Sequence, residues 1–82
     1  MNQARRKKLG DITKALNKLM EEIEDIEADE EEAYDNLPDS IASTERGDQM
    51  QEFITLLNES RDDLESAIEK IEEVHTTEQA IG

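Results

Sequence analysis

From Leu9 onward the large apolar residues fall at Leu9, Ile12, Leu16, Leu19, Ile23 and Ile26, in steps of 3, 4, 3, 4 and 3. That is the a/d spacing of a coiled-coil seam, and mostly Glu, Asp, Lys and Asn lie between. The seam then thins to Glu30 and Ala33, with Tyr34 beside it and Leu37 on it. Pro38 forbids simple continuation, because its ring clashes with the preceding turn and it has no N–H to donate. The pattern predicts a first helix from about Gln3 to about Asn36. Gly10 lies inside it, at a cost of ~1 kcal/mol relative to Ala.

A second seam follows the break: Ile54, Leu57, Arg61, Leu64, Ile68, Ile71 and His75, spaced 3, 4, 3, 4, 3 and 4. Phe53, Ala67 and Val74 widen its apolar stripe. Thr44 is the expected N-cap, with Glu45 in the first turn where the helix dipole favours an anion. The second helix is predicted over about 44–75, with residues 76–82 as a frayed tail. The connector is about 37–43, and Pro38 suits the opening of a helical turn, so part of it is expected to be helical.

The two seams match if the chain folds back about Ser40, so that facing residue numbers total 80. Leu9 then meets Ile71, Ile12 meets Ile68, Leu16 meets Leu64, Leu19 meets Arg61, Ile23 meets Leu57, Ile26 meets Ile54, and Glu30 meets Met50. Short connections between antiparallel helices are the norm. The expected fold class is therefore all-α: one antiparallel αα-hairpin domain, coiled-coil-like, as a rod of ~45–50 Å at 1.5 Å rise per residue. Arg61, alone among aliphatic seam positions, reads as a device that fixes register and orientation. Met20, Phe53, Ala67 and Val74 flank the seams, and two helices cannot enclose so wide a stripe. Pairing into a homodimeric four-helix bundle through these residues is expected, since a core this small is marginal by itself.

Charge sharpens the picture. The 82 residues hold 23 Asp plus Glu against 9 Lys plus Arg, for a formal net charge of −14. Residues 1–18 carry Arg5, Arg6, Lys7, Lys8, Lys14 and Lys18 against Asp11 alone; residues 19–82 carry almost all the acids. In the hairpin the basic cluster Arg5 to Lys8 is expected beside Glu69, Glu72 and Glu73. Parallel coiling of two chains would instead stack like charges.

Candidate chemistry is sparse. There is no Cys and only His75 among histidines, so no nucleophile–base–orienter set can be assembled, and enzyme activity is not expected. Glu72-Glu73-Val74-His75 contains Glu-x-x-His, a di-metal signature in helical bundles, but the facing positions around Arg5 to Lys8 are cationic. The acidic run from Asp29 lacks the spacing of a calcium loop, and no glycine-rich phosphate loop is present. No metal and no cofactor is expected. The chain has neither a membrane span nor a secretory leader and is expected in the cytoplasm. Its net charge repels nucleic acid, so no direct contact with DNA or RNA is expected.

The remaining signal is acidity itself. Residues 21–35 contain ten acids in fifteen positions. Glu21, Glu24, Asp25, Glu27, Glu30, Glu31, Glu32 and Asp35 are the expected contacts to a basic protein surface, of the kind that otherwise takes nucleic acid. Tyr34, Leu37 and Ile41, apolar and near the hairpin tip, are the expected specificity contacts. The alternative is a structural helical dimer whose charge serves solubility alone.

The connector adds a resemblance. Ala33-Tyr34-Asp35-Asn36-Leu37-Pro38-Asp39-Ser40, followed by Ser43-Thr44-Glu45-Arg46-Gly47-Asp48-Gln49-Met50, resembles small acidic helical proteins of phages and prophages of Gram-positive bacteria. These share a basic start, an acidic helix, an Asn-Leu-Pro turn with an Arg-Gly segment, and a Glu-rich second helix. The resemblance implies no particular activity. It implies a host-cell context, in which an inhibitor of a nucleic-acid-binding defence protein is an expected role by analogy.

Overall fold

A computed structural model describes residues 2–81, with side chains for 2–77. Three helices follow one another: α1 (Gln3–Asp35), α2 (Asp39–Ala42) and α3 (Glu45–Ile81). No strand occurs among the described residues. The two long helices pack antiparallel as an all-α hairpin, in a rod measuring 61 × 15 × 13 Å. Its radius of gyration of 18.3 Å far exceeds the ~12 Å of a compact chain of this length.

Local chemistry explains the helix ends. Asn2 caps α1, its side-chain oxygen accepting from the Arg5 N–H at 2.9 Å. At the other end the Asn36 N–H donates to Glu32 O at 3.0 Å, and Leu37-Pro38 turns the chain. Pro38, at φ −58°, presents its carbonyl to the N–H groups of Ile41 and Ala42, both at 2.9 Å. The expected helical turn in the connector is thus α2. Thr44 occupies the cap position of α3, its carbonyl accepting from Asp48 N–H at 3.2 Å. Its hydroxyl, however, donates backward to Ile41 O, so it closes the connector instead of capping α3. The second helix also continues to Ile81, past the expected end near His75; Gly82 lies outside the described residues.

The seam of α3 is as expected: Ile54, Leu57, Arg61, Leu64, Ile71 and His75 are half-buried, and Ile68 is buried. The seam of α1 is not. Leu9, Leu16 and Ile23 face inward, but the second row is Thr13, Met20, Glu27 and Tyr34. Ile12, Leu19 and Ile26 are exposed by 46%, 50% and 55%. Helix α1 is therefore turned ~50° about its axis relative to the expected seam, half of the 100° that separates successive residues.

The register moves with it. Tyr34 bonds Gln51, Glu27 bonds Asn58, and Gly10 lies beside His75; in each pair the residue numbers total 85, so the hairpin is offset by five from the expected 80. Two physical causes act together. The fold-back is centred beyond Ser40 because α2 occupies Asp39–Ala42 and Gly47 seats the start of α3 directly on it. Arg61, which the expected register sets against Leu19, needs an acceptor, and in the observed register its guanidinium stands 3.5 Å from the Glu27 carboxylate. The polar newcomers to the seam are satisfied within their helix: Thr13 Oγ1 donates to Leu9 O and Asn17 Nδ2 donates to Thr13 O, both at 3.0 Å.

The offset also corrects the charge pairing. Arg5 to Lys8 now stand level with residues 77–80, and Glu69 to Glu73 stand level with 12–16. Among the described residues no ion pair joins Arg5, Arg6, Lys7 or Lys8 to Glu69, Glu72 or Glu73. Gly10 is a place where the helix can be improved. A Cβ there meets nothing nearer than His75 Nε2 at 4.0 Å, so Gly10→Ala is expected to add ~1 kcal/mol. A rise of several degrees in the thermal midpoint, followed by circular dichroism, checks it.

Candidate functional site

The acidic half of the rod is built by α1 from Glu21 to Asp35 and by the part of α3 that lies alongside. Eight of the ten acids on α1 are exposed: Glu21, Glu22, Glu24, Asp25, Asp29, Glu31, Glu32 and Asp35. The other two are not free surface groups. Glu30 is half-buried, beside Phe53, Leu56, Leu57 and Ser60. Glu27, expected to contact a partner, is 4% exposed and belongs to the interior.

Around Glu27 the seam holds one polar cluster. Asn58 Nδ2 donates to Glu27 Oε1 at 3.2 Å, and Arg61 Nη2 donates to Asn58 Oδ1 at 3.3 Å. Glu27 Oε2 has no hydrogen-bond donor and is compensated by Arg61 Nη1 at 3.5 Å. Arg61 also approaches Asp62 at 3.9 Å. One oxygen is thus hydrogen-bonded and the other only paired in charge, a cluster that fixes register more than it adds stability. Asn58 was not foreseen as part of it; the available signal was Arg61, a cation among aliphatic residues that requires a carboxylate across the seam.

Near the tip, Tyr34 is half-buried, and its hydroxyl accepts from Gln51 Nε2 at 2.8 Å. This bond ties it to α3 and leaves part of its ring open to solvent. Leu37 is half-buried, and Ile41, 39% exposed, is the apolar group the tip offers to solvent. Of the residues expected to mediate self-association, Phe53 and Val74 are exposed by 46% and 45%, whereas Met20 has turned into the seam and Ala67 is half-buried.

The offset register alters which acids share this half. Residues 50–64 of α3 lie level with 21–35, bringing the exposed Glu52, Glu59, Asp62 and Asp63 alongside. No Lys or Arg occurs between Lys18 and Arg46, and Arg61 is engaged with Glu27. Twelve exposed carboxylates therefore occupy a length of ~22 Å, taken as fifteen residues at 1.5 Å each. Like charges this close raise a strong negative potential that a cationic surface can exploit.

Among the described residues no group of three or more His, Cys, Asp or Glu is arranged to hold a metal ion. No helix among them is long and apolar enough to cross a membrane. Comparison with protein-family models, with curated proteins and with solved structures finds no match for this chain.

Proposed function

We propose that this chain is a binding module and not an enzyme, and that its acidic half occupies a cationic groove that otherwise receives nucleic acid. Linear charge density carries the reading. Twelve exposed carboxylates over ~22 Å amount to one per ~1.9 Å, and duplex DNA carries one phosphate charge per ~1.7 Å of axis. A groove that neutralises DNA by releasing counterions meets a comparable array here. The array is held on two packed helices, so little conformational entropy is lost on docking.

Charge density attracts many basic surfaces and selects none of them. Ile41, exposed at the tip beside the carboxylates, supplies an apolar contact that distinguishes one groove from another. The resemblance of the connector to phage and prophage proteins supports a host protein of nucleic-acid defence as the partner class, and with it a site of action in the host cytoplasm.

Capture from a Gram-positive bacterial lysate on the immobilised protein, eluted by rising salt, tests the proposal. The expected result is one or a few basic, nucleic-acid-binding proteins that elute as salt rises. Glu30, Glu31 and Glu32 changed together to Gln are expected to weaken that capture at least tenfold while the helix signal stays unchanged. Retention at full strength by the triple variant would leave the structural-dimer reading in its place.

A further inference from the structure

The rotation of α1 leaves an apolar face that the hairpin does not use. Ile12, Leu19 and Ile26 form a row on α1 at seven-residue intervals, each about half exposed. Phe53, Leu56 and Val74 are exposed to a similar extent on α3. In the observed antiparallel seam, Ile12, Leu19 and Ile26 hold the heptad position that Phe53 and Val74 hold on α3. Like flanking positions lie on the same side of an antiparallel pair, so these residues make one face. Behind it the hairpin has little core: among the described residues Ile68 is the one buried hydrophobic side chain, and no side chain is fully buried.

We infer that this face is covered by a second copy of the chain, packed antiparallel to the first about a two-fold axis through Leu19. The surface area supports it. The chain exposes 6162 Å², where a folded monomer of 9.4 kDa is expected to expose ~5000 Å². The excess of roughly 1150 Å² belongs to the thin rod as a whole, and it leaves room for a face of the ~800 Å² that each partner contributes to a standard interface.

The arrangement of the face is self-complementary, as a two-fold interface requires. Ile12 and Ile26 lie seven residues to either side of Leu19. Rotation about that axis lays Ile12 over Ile26 of the second copy. The receiving side is already concave: Phe53, Leu56, Leu57, Ser60 and Glu30 surround a cavity of about 320 Å³.

Charge selects the direction. The same rotation sets Arg5 to Lys8 level with residues 30–33 of the second copy, and on the shared face Lys8 meets Asp29 and Glu30. This gives Lys8 acidic neighbours across the interface. A parallel arrangement would set the two acidic ends against each other and leave the basic ends together. The antiparallel dimer also carries one acidic end at each extremity, with most of each array still open to solvent.

The full chain, which has no native cysteine, allows a direct test. Sedimentation equilibrium is expected to return a dimer at micromolar concentration, and Leu19→Glu or Phe53→Glu a helical monomer. Single cysteines give orientation independently of whether those variants fold. Leu19→Cys is expected to form an interchain disulfide on mild oxidation. Ile12→Cys and Ile26→Cys are expected to form one when mixed and not when oxidised alone. A parent chain monomeric up to submillimolar concentration overturns the inference. So does efficient self-linking of Ile12→Cys, which marks a parallel pair.

Discussion

Replacing Arg61 by Met is expected to lower unfolding stability by about 2–4 kcal/mol, read from urea denaturation. The substitution keeps an unbranched side chain in the seam but strands the Glu27 carboxylate, which is 4% exposed and has one oxygen without a hydrogen-bond donor. Breaking a fully buried pair by removing one partner costs ~3–5 kcal/mol. The expected figure is lower because Arg61 retains 31% side-chain exposure and Asn58 still donates to Glu27. The double change Glu27→Leu with Arg61→Met is expected to recover the loss, because two apolar side chains replace two desolvated charges. It also removes what selects the register. In that variant the alternative seam, with Ile12, Leu19 and Ile26 inward, becomes a competitor, and loss of sharp side-chain resonances in an NMR spectrum of a stable protein would report the mixture.

The second large effect is expected at Gly47. A Cβ there would collide with the carbonyl of Ala42, standing 2.6 Å from its carbon, so backbone must move. Gly47 is buried against the end of α2 with no positive φ, so the requirement is close approach and not backbone freedom. Overpacking typically costs ~1–3 kcal/mol and sometimes more, and in a rod this thin the strain passes directly to the point where α3 starts. Gly47→Ala is expected to lie at the upper end of that range. Its signature separates it from an ordinary helix substitution: Ala elsewhere in α3 raises helix stability, as at Gly10 in α1, whereas here the urea midpoint falls.

Both predictions concern what the hydrophobic pattern alone could not reveal. The row Ile54 to His75 is legible because α3 offers one continuous apolar stripe, and it faces the seam as read, half-buried except at the buried Ile68. The turn is legible because Pro38 admits few alternatives. Helix α1 offers two rows of equal period beside Leu9, Leu16 and Ile23. Hydrophobicity favours Ile12, Leu19 and Ile26; the structure uses Thr13, Met20, Glu27 and Tyr34. The deciding terms are a cation in the opposite seam that needs a carboxylate, and a turn whose centre depends on the close approach of Gly47 to the Ala42 backbone. Neither shows in a count of apolar residues. The candidate site was legible as a stretch of charge, since acids on α1 remain exposed wherever the helix is not packed. That Glu27 turns inward follows from the rotation of α1 and was misread with it, whereas the half-buried Glu30 already lay on the expected seam.

The rotation also ties architecture to function. It goes with a shift of α3 along α1 that exchanges Glu45 and Asp48 for Asp62 and Asp63 in the acidic half, so the number of acids that α3 brings there stays at four. It also moves the apolar residues to a face distinct from the tip. A second copy on that face leaves Ile41 and the outer carboxylates available, so self-association and binding of a basic protein are compatible.

Competition with nucleic acid tests the central claim most directly. A partner captured from lysate is loaded with fluorescently labelled duplex DNA, and this protein is titrated in at two salt concentrations while anisotropy is followed. The expected result is complete release of the DNA, with the affinity of this protein falling with salt as the affinity for DNA falls, because both draw on the same cationic groove. Formation of a ternary complex in which the DNA stays bound, or an affinity unchanged between low and high salt, would contradict the account.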